Sequence, residues 1–291
     1  MRPVEDDRFR FGENWRSFAE TVTPEAIAEA ERGLTRLFPD GELRGKRLLD
    51  IGCGSGLSAL AALRLGAEWV EAIDFDPISV STAAALLTKF APGGPWTVRR
   101  GNILEMLNAD CRYDVVYSWG VLHHTGAMWR AIERAASLVA PNGYLAIALY
   151  RRTPLCPIWR LEKRFYVRSG PIAQSAIRAL YRAIYRAGLF ATGRNATNYV
   201  SRYKSARGMD WHHDVKDWLG GYPYESTKPA SVLACLEELG FASKRVFERP
   251  ARAFGLFGSH CDEYVWMRAS SAGGKPIAPR ERDAPELPIG R

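Results

Sequence analysis

The run Leu48-Leu49-Asp50-Ile51-Gly52-Cys53-Gly54-Ser55-Gly56 constrains this chain more than any other stretch. An apolar segment ends at a carboxylate and passes into a glycine-rich turn. A helical pattern follows from Leu57 through Arg64. Open α/β domains build a nucleotide site in this order, at the carboxyl end of the first strand. Glycine admits positive φ and lets the backbone approach a ligand closely. The first turn of the next helix leaves unpaired N–H groups facing the same place. A dinucleotide fingerprint spaces its glycines G-x-G-x-x-G and seats a pyrophosphate on the helix. Here the glycines fall at 52, 54 and 56, so the third is one residue early. Asp50, just before the turn, would repel a pyrophosphate. A carboxylate there suits a ligand that carries positive charge.

A second strand pattern, Trp69 to Ile73, ends at Asp74-Phe75-Asp76-Pro77, and Asp74 lies 18 residues beyond Gly56. An acid at the end of the second strand of a doubly wound fold accepts hydrogen bonds from ribose hydroxyls. A third strand, Trp96 to Arg100, ends at Gly101-Asn102-Ile103. There a polar side chain can bond an adenine amino group while its apolar neighbour packs on the ring. A fourth, Tyr113 to Ser118, opens onto Trp119-Gly120-Val121-Leu122-His123-His124. An amphipathic helix over 127–139, a turn at Pro141-Asn142-Gly143 and a fifth strand, Tyr144 to Tyr150, follow. Far downstream, Lys228 to Gly240 reads as a helix, and Phe241 to Phe247 and Asp262 to Arg268 as two last strands.

The motifs LLDIGCGSG, AIDFDP, GNI and SWGVLHH, in that order, carry a resemblance. Residues 47–150 resemble a class I S-adenosylmethionine-dependent methyltransferase of the bacterial small-molecule type. The resemblance implies an α/β fold: a doubly wound, mostly parallel seven-stranded sheet, Rossmann-like, its last strand antiparallel. It implies S-adenosylmethionine as cofactor and S-adenosylhomocysteine as product. Asp50, Gly52 and Gly54 would line the methionine end, Asp74 would hold the ribose, and Asn102 and Ile103 the adenine. Cys53, Gly56, Phe75, Ser118, Trp119 and His123 are expected around the same ligand. The family often has Asp where this chain has Asn102. An amide oxygen still accepts a hydrogen bond from an exocyclic amine.

The chain of 291 residues has room for one large domain with an insertion. The expected division is an N-terminal helical lid over 1–40, a cofactor-binding core over 41–150 and a basic, aromatic cap over 151–226. The rest of the core follows over 227–269, and then a disordered tail over 270–291, rich in Pro, Gly and charge. No apolar run reaches 18 residues, so no transmembrane helix is expected. The charged N-terminus does not read as a signal peptide. Five cysteines without C-x-x-C pairs argue for a reducing, cytoplasmic setting and against structural zinc. Cys53 reads as a small packing residue.

The net charge of +8 is uneven: residues 151–208 hold 13 Arg and Lys against Glu162 alone, or +12, leaving −4 elsewhere. The arginines interleave with Trp159, Phe165, Tyr166, Tyr181, Tyr185 and Phe190. Such a helical segment can be a solvated face that supports a lid or homodimer. It can also lie peripherally on an anionic membrane, or track nucleic-acid phosphates. No RNA-binding module accompanies the core, which disfavours nucleic acid.

Two stretches flank the expected pocket. Phe11-Gly12-Glu13-Asn14-Trp15 reads as a turn that drops the Trp15 ring onto the ligand. The stretch from Arg207 to Glu225, including Trp211-His212-His213-Asp214 and Gly220-Gly221-Tyr222-Pro223-Tyr224, reads as an irregular binding loop. Tyr150, Trp211, His212, Tyr222 and Tyr224 are the expected acceptor-binding residues. Methyl transfer to a hydroxyl needs a base, and histidine suits that role near neutral pH. His213 and His124 are the expected bases, with Asp214 orienting. No compact ligand motif predicts a metal. The function expected is methylation of a small or lipid-like acceptor, at oxygen. The alternatives are an RNA methyltransferase and a non-catalytic cofactor-binding regulator.

Overall fold

The computed structural model describes residues 8–106, 112–207, 211–249 and 252–270. The first seven residues of the expected lid, Gly208, Met209 and Asp210 of the expected loop, and the expected tail apart from its first residue lie outside the described residues. Seven strands form one sheet: β1 Arg47–Ile51, β2 Trp69–Asp74, β3 Trp96–Arg100, β4 Tyr113–Trp119, β5 Val139–Tyr150, β6 Phe241–Phe247 and β7 Cys261–Arg268. Their order is β3-β2-β1-β4-β5-β7-β6. The first five pair in parallel, and β7 runs antiparallel to both neighbours. This is the implied mostly parallel sheet with its last strand reversed. Leu48, Leu49, Val70, Ala72, Val115, Val116, Leu145 and Ile147 are all buried. Such continuous apolar runs belong to strands covered on both faces.

The helices that cover one face are α2 Pro24–Leu37, α3 Leu57–Arg64 and α4 Pro77–Phe90. They follow α1 Phe11–Ala19, which lies over the edge of the sheet against α4. The other face is covered by α5 Met128–Ser137 and α10 Pro229–Glu238. The strand order reverses at β1 and β4, and ligands of open α/β sheets bind in the crevice at such a switch point. Residues 140–143 loop out of β5: Val139 pairs with Tyr113 and Tyr144 with Val115, and Asn142 takes φ 61° at the turn.

Between β5 and α10 the chain builds a cap from α6 Cys156–Arg168, α7 Pro171–Ala191, α8 Ala196–Arg207 and α9 Trp211–Gly220. It has a small core of its own around Tyr166, Tyr203, Trp211, Val215 and Leu219. Two local expectations are corrected. Residues 11–19 are helix, not a turn. The His-His-Asp stretch lies on helix α9, not on an irregular loop; among the described residues of that stretch, irregular backbone starts after Gly220. The cause in α9 is an apolar stripe, Trp211, Val215 and Leu219, that recurs every four residues and is buried.

Candidate active site

At the switch point the glycine turn is hooked onto the end of β2. Gly52 and Cys53 both donate backbone N–H groups to the Ile73 carbonyl, at 2.8 and 3.0 Å. The Gly54 N–H donates to Asp74 Oδ2 at 3.0 Å. Gly52 and Gly54 take φ 74° and 53°. A Cβ on Gly52 would stand 2.5 Å from the Val121 methyls, and one on Gly54 would stand 2.9 Å from the Trp15 ring. The turn is therefore pressed between the exit of β4 and helix α1. A third tie holds α1 down: the Gly12 N–H donates to Asp76 Oδ2 at 2.9 Å, while Asp76 Oδ1 caps α4 at Ile78.

Asp50 is 2% exposed, and its Oδ2 has no hydrogen-bond partner. Burial, with repulsion from Asp74, pushes its carboxyl up to about 7. Burial pushes Asp74 up to about 6 against the backbone N–H groups that favour its charge. A buried, unpartnered carboxylate is costly unless a cation or donor meets it. Both carboxylates line a cavity of about 930 Å3, together with Trp15, Gly52, Cys53, Gly54, Phe75, Asn102, Ile103 and Trp119. The donor set fits S-adenosylmethionine. Asp50 suits its ammonium, and spare lone pairs of Asp74 suit ribose hydroxyls. Phe75 and Ile103 supply apolar surface for adenine. Asn102 Oδ1 accepts from the Leu104 N–H at 3.1 Å and keeps a lone pair for an amine.

Three residues expected at the cofactor lie outside the cavity wall. Gly56 packs on Ala83 at the start of α3. Ser118 Oγ donates to the Ile51 carbonyl at 3.1 Å and clamps β4 to β1. His123 is fully buried and accepts the Tyr150 N–H on Nδ1 at 3.3 Å. Burial holds its imidazole neutral, far below the usual range. Each shapes the wall from behind. Cys53 does reach the cavity, but burial and Asp50 push its thiol up, so it remains a packing residue.

The far half of the cavity is roofed by α1, α9 and the inner faces of the cap. Tyr150, Trp211 and Tyr222 line it, as do Tyr181, Tyr185, Tyr199, Trp218 and Phe257. His212 and Tyr224 do not. His212 is exposed and accepts from Arg182 at 2.8 Å. Tyr224 is buried behind the wall against Ser259, 2.8 Å away, and Cys156. The expected base His213 is also displaced. Its ring lies outside the cavity wall, with Nε2 3.1 Å from Ser17 Oγ on α1. His124 does line the cavity. A carbonyl can only accept, so His124 Nδ1, 2.7 Å from the Pro223 carbonyl, carries the proton. Burial lowers this imidazole to about 4, so it is a neutral, anchored group and a weak base.

Asp214 lines the cavity and accepts the Tyr203 hydroxyl. One turn on, Asp217 lines it too. Burial and the charge of Asp214 push Asp217 up to about 8. Asn14, buried on α1, donates to Asp217 Oδ1 at 2.6 Å and to the His213 carbonyl at 3.1 Å. Sequence reasoning missed Asn14, Asp217, Tyr199 and Tyr203. The available signal was the i, i+3 spacing of the two acids on a helix. Among the described residues, no group of three or more His, Cys, Asp or Glu is arranged to hold a metal ion.

This geometry agrees with comparisons to known proteins. The family model described as Methyltransferase domain matches residues 22–220, more than half of the chain. The chain belongs to that family of methyltransferase domains. It is 33% identical over 111 residues to a ubiquinone biosynthesis O-methyltransferase of Azorhizobium caulinodans, covering 38% of this chain and 43% of the relative. It is 38% identical over 119 residues to a ribosomal protein L11 methyltransferase of Xylella fastidiosa, covering 40% and 36%. The matches thus span less than half of either partner. Among solved structures, magnesium protoporphyrin IX methyltransferase from Synechocystis, crystallised with S-adenosylhomocysteine, aligns over 85% of both chains. Its TM-score is 0.52 at 18% identity. A methyltransferase from Mesorhizobium loti aligns over 82% of this chain and 98% of its own, with TM-score 0.50 at 20% identity. At these identities both likenesses show the fold.

Proposed function

We propose that this methyltransferase methylates a hydroxyl on a small, amphipathic, lipid-like acceptor, with the Asp214–Asp217 pair receiving the proton. The observation that carries this reading is that two carboxylates, Asp214 and Asp217, line one aromatic-walled cavity together with the glycine turn. Tyrosine and tryptophan faces bind a flat or isoprenoid-like body by apolar contact, and a few polar groups fix its orientation. The relatives named for ubiquinone biosynthesis act at oxygen by name, which supports the same chemistry.

The cofactor, when bound, supplies a methyl group on a positively charged sulfur. The protein's part is to position the acceptor oxygen in line with that methyl, which is the main source of acceleration in a displacement of this kind. Asp50 and Asp74 would hold the donor by its ammonium and ribose, and the aromatic roof would hold the acceptor. As the new C–O bond forms and the C–S bond breaks, the hydroxyl proton must leave. Asp214, held by Tyr203, is the acceptor for it. Asp217 stores a proton at neutral pH because its carboxyl sits at about 8. His124 keeps the 221–223 loop closed through Pro223 and takes no proton in the working range.

The test is transfer of a labelled methyl group to a panel of hydroxylated aromatic and isoprenoid compounds, with the labelled atom identified in the product. Label on oxygen, lost in the Asp214→Asn variant with cofactor affinity retained, supports the reading. Label on nitrogen, on RNA or on protein overturns it. The rate should climb with pH through the Asp217 range near 8, and Asp217→Asn should flatten that climb.

A further inference from the structure

The aromatics of the cap divide into two sets that the sequence leaves mixed. Tyr181, Tyr185, Trp159 and Tyr166 turn inward to the cap core or the cavity. Phe165 and Phe190 turn outward into solvent. On α6 the exposed apolar residues are Ile158, Leu161 and Phe165, three and four apart and so on one face. On α7 they are Ile172, Leu180, Ile184 and Phe190, with Ile172 89% and Phe190 83% exposed. The exposed alanines 173, 176, 179, 183 and 187 fill the spaces between them. Among the described residues, seven of the ten exposed large hydrophobic side chains thus sit on these two consecutive, touching helices. Scattered single exposures are ordinary; a contiguous set is not.

Charge separates the candidate occupants. Arg160, Arg164 and Arg168 form an exposed row on α6, four apart, along one side of the stripe, and Arg186 is exposed on α7. Glu162 is the one acid in either helix, and its carboxylate oxygens are buried beside Lys163. A second copy docked by a two-fold axis would set the same patch against itself, bringing arginine rows together, which is repulsive. An anionic bilayer complements both parts. Its headgroups meet the arginines, and its acyl boundary takes the apolar side chains. Among the described residues no helix is long and apolar enough to cross a membrane, so the helices lie in the surface plane.

We propose that the outer face of α6 and α7 docks this enzyme onto an anionic lipid surface, with the arginine row at headgroup level. The inner face of α7 walls the acceptor half of the cavity through Tyr181 and Tyr185, so docking sets that half toward the bilayer. The binding needs neither cofactor nor acceptor, so its test is independent of the acceptor reading.

The experiment is flotation of the full chain with vesicles of phosphatidylcholine alone and of phosphatidylcholine mixed with phosphatidylglycerol, at low and high salt. Binding is expected on the mixed vesicles and should weaken with salt as headgroup attraction is screened. Each arginine contributes roughly a fivefold change in partitioning, so Arg160→Glu with Arg164→Glu should lose at least about tenfold. Leu161→Ser with Phe165→Ser should lose binding at low salt, which a purely ionic contact would not. All these positions are exposed, and unchanged S-adenosylmethionine affinity verifies folding. No vesicle binding, or binding indifferent to lipid charge and to the arginines, overturns the proposal. So does a dimer that the same variants dissolve in the absence of vesicle binding.

Discussion

Asp50 is held in a state the protein alone does not favour. Its carboxyl is buried, has one oxygen without a partner and faces Asp74, so it titrates near 7 rather than near 4. A cationic ligand favours the ionised form. Affinity for S-adenosylmethionine should therefore rise as pH climbs from 6 to 8, with protons released on binding at the lower end. Calorimetry in buffers of different ionisation heat measures both, and a pH-independent affinity would remove Asp50 from the ammonium site. Stability should run the other way. A carboxyl whose folded value is raised binds more protons folded than unfolded, so it contributes stability at low pH that is lost as pH rises from its ordinary value to about 7. Asp50→Asn removes that loss. Without ligand the variant should melt higher than wild type at pH 8, while its cofactor affinity falls by at least about tenfold. A variant that is both less stable and unaltered in affinity would make Asp50 a structural residue. Gly54 offers a second test at this scale. Gly54→Ala puts a methyl into the Trp15 ring at positive φ, so it should weaken cofactor binding, and Trp15→Ala should restore part of it. Purely additive losses in that double-mutant cycle would show that ring and turn act apart.

Helix α9 is the element on which the reading of the site turns. The core strands were legible because short apolar runs close on Gly, Asp or Asn, and Asp50, Asp74 and Asn102 could be placed by counting from those ends. The cap was legible as helical, but a helix does not declare which neighbour each face will meet. In α9, glycines and a proline at 208, 220, 221 and 223 read as loop and hid the Trp211–Val215–Leu219 stripe. Once that stripe faces the cap core, the helix turns Asp214 and Asp217 to the cavity and His213 to α1. Which of these side chains reaches the cavity is thus fixed by packing, not by residue type. Asn14 is the reciprocal clamp from α1. Replacing it with Leu removes two hydrogen bonds and leaves Asp217 with less support for its charge. The variant should lose about 1–3 kcal/mol of stability, and its pH-rate climb should move above the wild-type position near 8. His213→Ala should lower the melting temperature slightly and leave that profile in place; a flattened profile in His213→Ala would restore His213 as the base.

Across the whole molecule, three sequence-distant parts close one cavity: the carboxyl ends of β1, β2 and β4, helix α1, and the cap. The ties between them form a chain. Gly12 binds Asp76 just past β2, Trp15 covers Gly54, and Asn14 binds Asp217 on α9. All three ties come from four successive residues of α1. A ligand that orders the glycine turn must therefore steady α1, and through Asn14 it must steady α9, although the cap makes none of the expected cofactor contacts. Hydrogen exchange of the full chain with and without S-adenosylhomocysteine reads this directly. Slower exchange is expected in 11–19 and 211–220 together, with the outer helix α7 unchanged. In Asn14→Leu the protection of 11–19 should persist while that of 211–220 is lost. Protection of α9 that survives the Asn14 change would mean that the cap senses the cofactor by another route, and would free α1 from the role of hinge between donor and acceptor halves.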